Sequence, residues 1–124
     1  MKLKNEIKGV LNSSEDKRYE YFIKKVVDYE EIWGLYFEQW LTIKEGNMTI
    51  IPLWPKEEFI QENIKKSRHQ YKSKSIDIYD FIDLWIPKII ETETSIALFW
   101  DGEKYLNVNT EKLIKDLDEE IDNY

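Results

Sequence analysis

Cysteine is absent from this sequence of 124 residues, and histidine occurs once, at His69. The absence of cysteine excludes disulfides, thiolate nucleophiles, zinc ribbons and iron–sulfur clusters. A single histidine excludes a histidine-rich metal site, and a Ser-His-Asp triad would have to use His69. The basic residues around His69 disfavour the imidazolium that such a triad needs, so we predict a surface histidine and no catalytic residue.

Glycine and long apolar runs are also scarce. The glycines at 9, 34, 46 and 102 are too far apart in the chain to form a contiguous phosphate-binding loop. No run approaches the roughly 20 apolar residues of a membrane span. The segment Met1–Lys8 has no apolar stretch of the kind found in signal peptides. We therefore expect a cytoplasmic protein that does not associate with membranes.

Acidic residues predominate, with a net charge of −7, but they are unevenly distributed. Asp77–Glu93 contains five acids and one base, and Glu111–Tyr124 contains six acids and two bases. In Lys56–Lys74, by contrast, six bases outnumber three acids. Because a net acidic chain repels nucleic acid, any nucleic-acid role would depend on that basic segment.

Apolar residues recur at helical spacing in five segments. The clearest is Tyr19–Val27, and Ser13 is its predicted N-cap. Pro55 is predicted at the first position of a helix. Pro87 falls inside another helix, where it removes the hydrogen bond to the Asp83 carbonyl and so predicts a kink or break. The five predicted helices cover about residues 2–12, 14–28, 55–66, 78–90 and 110–121, and Asn109 or Thr110 is the predicted cap of the last one.

Aromatic and β-branched residues predict the strands. Ile32–Phe37, Trp40–Lys44 and Met48–Ile51 predict a three-stranded antiparallel meander, with a turn at Glu45-Gly46-Asn47. Pro52 should end strand pairing or lie at an edge, because it has no N–H to donate.

The second half of the chain predicts a hairpin between two helices. Thr94–Trp100 and Tyr105–Val108 are its strands, with Asp101-Gly102 as the turn. The polar stretch Ser67–Ser75 is predicted as a loop, and Asp77 as a helix cap. Residues 1–124 are thus predicted to form a single α+β domain of order ααβββααββα, with an antiparallel sheet packed against about five helices.

Acidic helix faces provide the leading functional hypothesis, which is a non-enzymatic protein that binds and masks a basic partner, as an immunity or antitoxin-like protein would. Charge complementarity would accelerate such an encounter. The acids lack the glycine-containing loop of an EF-hand, so we predict no metal site and no cofactor. The candidate partner surface consists of Asp77, Asp80, Asp83, Asp116, Glu119 and Glu120.

Two alternatives remain open. The first is a small-molecule binder or enzyme with an aromatic pocket of Trp33, Trp54 and Trp85, where the planar fork of Arg18 would bind an anion. Tryptophans more often belong to the core, however, because each ring buries a large area. The second is nucleic-acid binding through a basic segment with one stacking aromatic. Its residues are Lys65, Lys66, Arg68, Tyr71, Lys72 and Lys74.

Three phrases in the sequence also carry a family resemblance. Arg18–Phe22 leads into Ile32–Leu35, Pro52–Pro55 follows, and Phe81–Pro87 comes last. In order and spacing they resemble the bacterial domain of unknown function family 2750, over roughly Glu6 to Leu117. The resemblance implies a small, mostly single-domain bacterial protein and supplies no catalytic residues. The matching positions are Arg18, Tyr19, Phe22, Trp33, Gly34, Pro52, Trp54, Pro55, Trp85 and Pro87.

Overall fold

The computed structural model describes residues 2–124 of the chain. Within them, the amphipathic segments form five helices, and a 3₁₀ turn covers Glu57–Phe59. The helices are α1 (Lys2–Leu11), α2 (Glu15–Tyr29), α3 (Glu62–Ser67), α4 (Ile78–Asp80, Phe81–Trp85 and Ile86–Glu91 in succession) and α5 (Thr110–Asp122). None of the helices in residues 2–124 is long and apolar enough to cross a membrane.

Two sheets accompany the helices. Their strands are β1 (Glu31–Phe37), β2 (Gln39–Trp40), β3 (Ile43–Glu45), β4 (Met48–Leu53), β5 (Lys72–Asp77), β6 (Ser95–Leu98) and β7 (Leu106–Val108). One sheet is antiparallel with the order β2-β1-β5, and the other has the order β3-β4-β6-β7. The second sheet is mixed, because β4 and β6 are parallel. The peptide groups of Trp33 and Trp54 join the sheets, each N–H donating to the other carbonyl at 2.9 Å.

The chain is α+β, as predicted, but the three-stranded meander is wrong in detail. The predicted middle strand Trp40–Lys44 divides between two partners, since β2 pairs with β1 and β3 pairs with β4. Leu41 lies at the division, is 3% exposed, and donates its N–H to the Leu35 carbonyl at 2.8 Å. Burial of this apolar side chain accompanies the change of partner, so one predicted strand becomes two short ones.

Strand β5 occupies a region for which the sequence predicts a loop, over Ser67–Ser75. It pairs antiparallel with β1, from Glu31 opposite Asp77 to Tyr36 opposite Lys72. Within β5 only Ile76 is buried, so its side chains provide no alternating apolar signal. Backbone pairing with β1 therefore defines this strand, and such non-local pairing is not visible in the local sequence.

Pro52 remains inside β4, opposite Ala97 of β6, although it was predicted to end the pairing or to lie at an edge. On the other side of β4, pairing with β3 ends at Ile43 opposite Ile50. The next partner on that side is Trp33, which bonds to Trp54. Because alternate residues of a strand point their N–H groups to the same side, the Pro52 nitrogen lies in the gap between these partners. The missing donor is tolerated there.

Two helix starts differ from the prediction. Ser14, not Ser13, caps α2, and its Oγ accepts the N–H of Lys17 at 3.3 Å. Pro55 is not the first residue of a helix, because the 3₁₀ turn follows it and α3 begins only at Glu62. Asp77, by contrast, is confirmed as the cap of α4.

The predicted kink at Pro87 takes the form of a π-helical segment. Phe81–Trp85 is π-helical, and the N–H of Ile86 donates to the carbonyl of Phe81, five residues earlier. A proline inside a helix cannot donate to the carbonyl four residues before it. The wider π register ends immediately before Pro87 and lets α4 continue through it.

The C-terminal hairpin is confirmed in its pairing but not in its turn. β6 pairs antiparallel with β7, with Ile96 opposite Val108. The connection covers residues 99–105, because the two-residue turn predicted at Asp101-Gly102 is part of a longer loop. Within this loop Asp101 Oδ1 accepts the N–H groups of Glu103 and Lys104 at 2.9 and 2.7 Å.

Candidate functional site

A cleft of about 590 Å³ lies between α2 and α5, with β7 along one wall. Ile23, Leu106 and Val108 supply apolar lining. We call it the acidic cleft because six acids and two lysines surround it. These residues are Glu15, Asp16, Glu20, Asp116, Glu119 and Glu120, with Lys24 and Lys112.

The two helices present these acids because their apolar faces are used for the core. In α2, the side chains of Phe22 and Val26 are fully buried, and in α5 those of Leu113 and Leu117 are fully buried. Helical periodicity then leaves the charged residues of both helices at the rim. Asn109 fixes the start of α5, since its Oδ1 accepts the N–H of Lys112 at 2.9 Å.

Tyr19, Lys112 and Asp116 form the ordered part of the acidic cleft. The Tyr19 hydroxyl donates to Asp116 Oδ2 at 2.6 Å, and the Lys112 ammonium donates to the same oxygen at 2.5 Å. The Lys112 Nζ also lies 4.6 Å from the centroid of the Tyr19 ring. This arrangement pairs Asp116 with Lys112 and leaves the other carboxylates of the cleft without a described ion pair in residues 2–124.

The contacts among Tyr19, Lys112 and Asp116 lower the pKa of Asp116 and raise the pKa of Tyr19. Burial of the Asp116 carboxyl opposes its ionisation, but the bonds from Lys112 and Tyr19 outweigh burial and hold its pKa below the usual value. Burial and the bond to Asp116 raise the pKa of the Tyr19 hydroxyl. Since the Asp116 pKa is lowered by folding, its stabilising contribution is present above the ordinary carboxyl pKa and is lost as pH falls through the lowered value.

Replacing Tyr19 with phenylalanine is expected to raise the Asp116 pKa towards its ordinary value, because a donor to the ionised carboxylate is removed. Tyr21→Phe is the matched control, since the Tyr21 hydroxyl donates to Glu6 Oε2 at 2.7 Å and lowers the pKa of Glu6. NMR pH titration of the side-chain carboxyl carbons measures the Asp116 pKa in both variants. An unchanged Asp116 pKa in Tyr19→Phe, or a raised one in Tyr21→Phe, would contradict this assignment.

The structure brings together only part of the predicted partner surface. Asp116, Glu119 and Glu120 line the acidic cleft. The other three acids of the predicted surface lie at or near the start of α4 and do not line it. Those three, Asp77, Asp80 and Asp83, are exposed. Asp77 serves as a helix cap through bonds from the N–H groups of Tyr79 and Asp80.

Sequence reasoning missed the acids of α2 that face α5 across the cleft. Glu15 and Asp16 lie in the first turn of α2, where the helix dipole stabilises acids, and Glu20 lies in the next turn. Their helix was predicted, but the packing of α2 beside α5 was not. No local signal places residues 15–20 beside residues 116–120, because that proximity arises from the shared core.

The three indoles of the predicted aromatic pocket have other partners in the structure. Trp54 is 0% exposed, and its indole N–H donates to the Trp100 carbonyl at 3.2 Å. Trp33 is half-buried, and its indole N–H donates to Glu31 Oε1 at 3.3 Å. Trp85 is also half-buried and packs edge-on against the ring of Trp40, at 4.9 Å between centroids.

Arg18 lines a second cleft, of about 540 Å³, together with Phe99 and Tyr105. Neither this cleft nor the acidic cleft includes Trp33, Trp54 or Trp85 in its lining within the described residues.

The basic residues are divided between a helix, a loop and a strand. Lys65 and Lys66 lie in the last turn of α3, where the helix dipole stabilises cations. Arg68 follows α3, and its guanidinium lies 6.0 Å from the Trp100 ring centroid. Lys72 and Lys74 belong to β5, an outer strand, where lysine discourages pairing with another chain.

The side chains beside these bases have structural partners. The Lys74 Nζ lies 4.3 Å from the Tyr36 ring centroid, and Tyr71 packs edge-on against Phe37. His69 is exposed, as predicted. In residues 2–124, no three acidic or histidine side chains are grouped so that they could hold a metal ion.

Comparison with known proteins identifies a family. The model of the family described as "Protein of unknown function (DUF2750)" matches residues 19–117. No curated protein matches the chain. The matched region contains both sheets, α3, α4 and most of α2, and covers well over half of the sequence. The chain therefore belongs to the DUF2750 family.

Proposed function

We propose that this chain is a non-enzymatic protein that binds a basic partner, in the manner of an immunity or antitoxin-like protein, and that the acidic cleft is its docking surface. The observation that carries the proposal is the excess of six acids over two lysines around one cleft. Two helices and a strand supply the lining, so the charges are held on a packed framework. A partner of opposite charge would be steered towards this cleft.

The position of the acids on α5 supports a binding role over a stabilising one. Glu119 and Glu120 lie near the C-terminal end of this helix, which has no basic residue in its last turn. The partial negative charge of a helix C-terminus disfavours carboxylates. These acids therefore do not stabilise their own helix, whereas they would attract an incoming cation.

The lining also provides contacts other than charge. Ile23, Leu106 and Val108 contribute apolar surface beside the acids. The methylene groups of an inserted lysine or arginine could pack on this surface while its charged end meets the carboxylates. The proposed partner thus presents a basic segment, with an arginine or lysine as its central contact.

The resolved pKa shifts fit a binding site better than a catalytic one. Asp116 and Glu6 have lowered pKa values, and Tyr19, Tyr21, Tyr105 and Tyr124 have raised pKa values. All six shifts move away from neutral pH. A general acid or base works best with a pKa near the working pH, so these groups are poorly suited to proton transfer there.

Charge reversal within α5 tests the proposal with a matched control. Glu119→Lys/Glu120→Lys changes two cleft acids, and Asp118→Lys/Asp122→Lys makes the same charge change on exposed residues of the same helix outside the cleft lining. The partner is first captured from the native host at low salt, identified and purified. Association rates are then measured by surface plasmon resonance at about 50 and 500 mM salt.

The cleft variant is expected to slow association about tenfold or more at low salt, with a smaller difference at high salt. The control variant should slow association by a clearly smaller factor, because it makes the same charge change outside the cleft lining. Equal losses in both variants would refute the cleft as the docking surface. Failure to capture any stable partner at low salt would argue against the proposed function as a whole.

A further inference from the structure

We propose that the basic partner places an arginine on the Tyr19 ring and against the Asp116 carboxylate, and that this arginine displaces Lys112. This contact, which rests on the proposed function, would be the central one of the acidic cleft. Lys112 already occupies the position within the chain, since its Nζ lies 2.5 Å from Asp116 Oδ2 and 4.6 Å from the centroid of the Tyr19 ring. An aromatic face beside a carboxylate is an arrangement that holds a cation.

Lys112 is poorly placed to stabilise its own helix. It lies in the first turn of α5, which begins at Thr110, and the partial positive charge of a helix N-terminus disfavours cations. The order of its pair with Asp116 is also the weaker one, because an acid four residues before a base stabilises a helix more than the reverse. The Lys112 side chain is 62% exposed, and exposed ion pairs contribute little to stability. Its displacement from Asp116 therefore costs little.

The pairing of Tyr19 with Asp116 does not depend on Lys112. The Tyr19 hydroxyl donates to Asp116 Oδ2 at 2.6 Å and so joins α2 to α5. Both helices are anchored in the core, through the fully buried side chains of Phe22 in α2 and Leu113 in α5. The packing of the two helices therefore holds the ring and the carboxylate in place when Lys112 leaves. Such preorganisation lowers the entropic cost of binding.

Both groups can be reached from the acidic cleft. Tyr19 is half-buried, the Asp116 side chain is 22% exposed, and both residues line the cleft. The Lys112 ammonium contacts them from the solvent side, since most of the Lys112 side chain is exposed. A cation of the partner can therefore reach the same face of the ring and the same carboxylate.

The acceptor positions of Asp116 favour arginine over lysine as the inserted residue. Both side-chain bonds to Asp116 end on Oδ2, and within residues 2–124 no bond to Oδ1 is described. When Lys112 has left, both carboxylate oxygens have a free lone pair. The planar fork of a guanidinium matches two carboxylate oxygens and can stack on an aromatic face, whereas a lysine ammonium is a point charge without this match.

Two tripeptides of equal charge test the contact without the partner. Acetyl-Lys-Arg-Lys-amide and acetyl-Lys-Lys-Lys-amide differ only in the central side chain. Each is titrated into the wild-type protein to about 5 mM, at about 20 mM salt so that charges are weakly screened. The NMR signals of the Tyr19 ring and of the Lys112 Cε report on the contact, and the backbone amide signals of Glu119 and Glu120 report on binding elsewhere in the cleft.

The arginine peptide is expected to shift the Tyr19 and Lys112 signals saturably and to bind at least about threefold more tightly than the lysine peptide. Equal affinities of the two peptides would overturn the assignment of an arginine. Shifts at Glu119 and Glu120 without a shift at Tyr19 would overturn the contact but leave the cleft as a docking surface. Absence of binding by both peptides would also overturn the contact, whereas the proposed function is tested separately by capture of the partner.

Removal of the Lys112 charge should strengthen binding of the arginine peptide. Lys112→Gln frees Tyr19 and Asp116, so the affinity should rise about fivefold, which corresponds to the loss of one exposed ion pair at the upper end of its range. Lys24→Gln is the matched control, because Lys24 also lines the cleft but has no described ion pair in residues 2–124. It should raise the affinity by a clearly smaller factor. Circular dichroism establishes that each variant is folded. Equal gains in the two variants, or no gain in Lys112→Gln, would overturn the displacement of Lys112.

Discussion

Replacing Trp54 with alanine is expected to lower the free energy of unfolding by about 3–5 kcal/mol. Trp54 is 0% exposed, and its ring is the largest fully buried side chain in the described residues. Its indole N–H also donates to the Trp100 carbonyl, which would lose this donor in the variant. The backbone of Trp54 bonds to Trp33 and joins the two sheets, so the resulting cavity would lie where they meet.

Chemical denaturation monitored by circular dichroism measures the effect, and two further variants separate its causes. Trp54→Phe retains most of the apolar volume but removes the indole donor, so a smaller loss of about 1–3 kcal/mol is expected. Leu84→Ala is the exposed control, since Leu84 is 66% exposed, and should change stability by less than about 0.5 kcal/mol. A loss below about 1 kcal/mol in Trp54→Ala would show that this ring is not central to the core.

Local sequence patterns predicted the features that local interactions determine. The apolar periodicity of α2 and α5 predicted both helices, Asp77 was predicted as a cap, and Asn109 was one of two candidate caps. The antiparallel pairing of β6 and β7 followed from two nearby strands separated by a turn signal. In each case the decisive contacts join residues close in the chain, so sequence spacing carries the information.

Long-range pairing could not be predicted in the same way. β4 and β6 pair in parallel although Ile50 and Ser95 are 45 residues apart, and β5 pairs with β1 with little burial of its own side chains. The hydrogen bonds of such strands are made by the backbone, which every sequence possesses. Propensity therefore could not distinguish β5 from a basic loop.

In the candidate site, too, local features were predicted from the sequence and long-range proximity was not. Charge counts identified the α5 side of the acidic cleft through Asp116, Glu119 and Glu120. The α2 side was missed because its position beside α5 depends on tertiary packing. Arg18 was chosen as an anion-binding residue, but its neighbours Phe99 and Tyr105 come from the β6–β7 loop, about 80 residues further along the chain.

Gly34 is the second position at which a single substitution is expected to have a large effect. Gly34→Val should lower the free energy of unfolding by about 2–3 kcal/mol, the upper part of the range for overpacking. A β-carbon built on Gly34 would lie 3.1 Å from Cε3 and from Cζ3 of Trp40, and 3.6 Å from Leu53 Cδ2. The two methyl groups of valine would add further volume against the same ring.

The Trp40 ring has little freedom to move away from Gly34. It packs edge-on against Tyr36 on one side and Trp85 on another, with centroids 5.2 and 4.9 Å away. Displacing it would disturb α4 through Trp85, so the strain cannot be relieved by one flexible side chain. This contact gives a physical reason for glycine at position 34, within the Trp33-Gly34 phrase that carries the family resemblance.

Gly9→Val is the control for the same chemical change, because a β-carbon at Gly9 would meet nothing within 4 Å. Valine is slightly better than glycine inside a helix, so this variant should match the wild type or exceed it by up to about 0.5 kcal/mol. Denaturation midpoints of both variants, with unchanged m-values, provide the comparison. Equal stabilities would mean that the Trp40 ring yields to the added side chain. A selective loss at Gly34 would establish the cluster of Tyr36, Trp40 and Trp85 as part of the framework that holds β1 against α4.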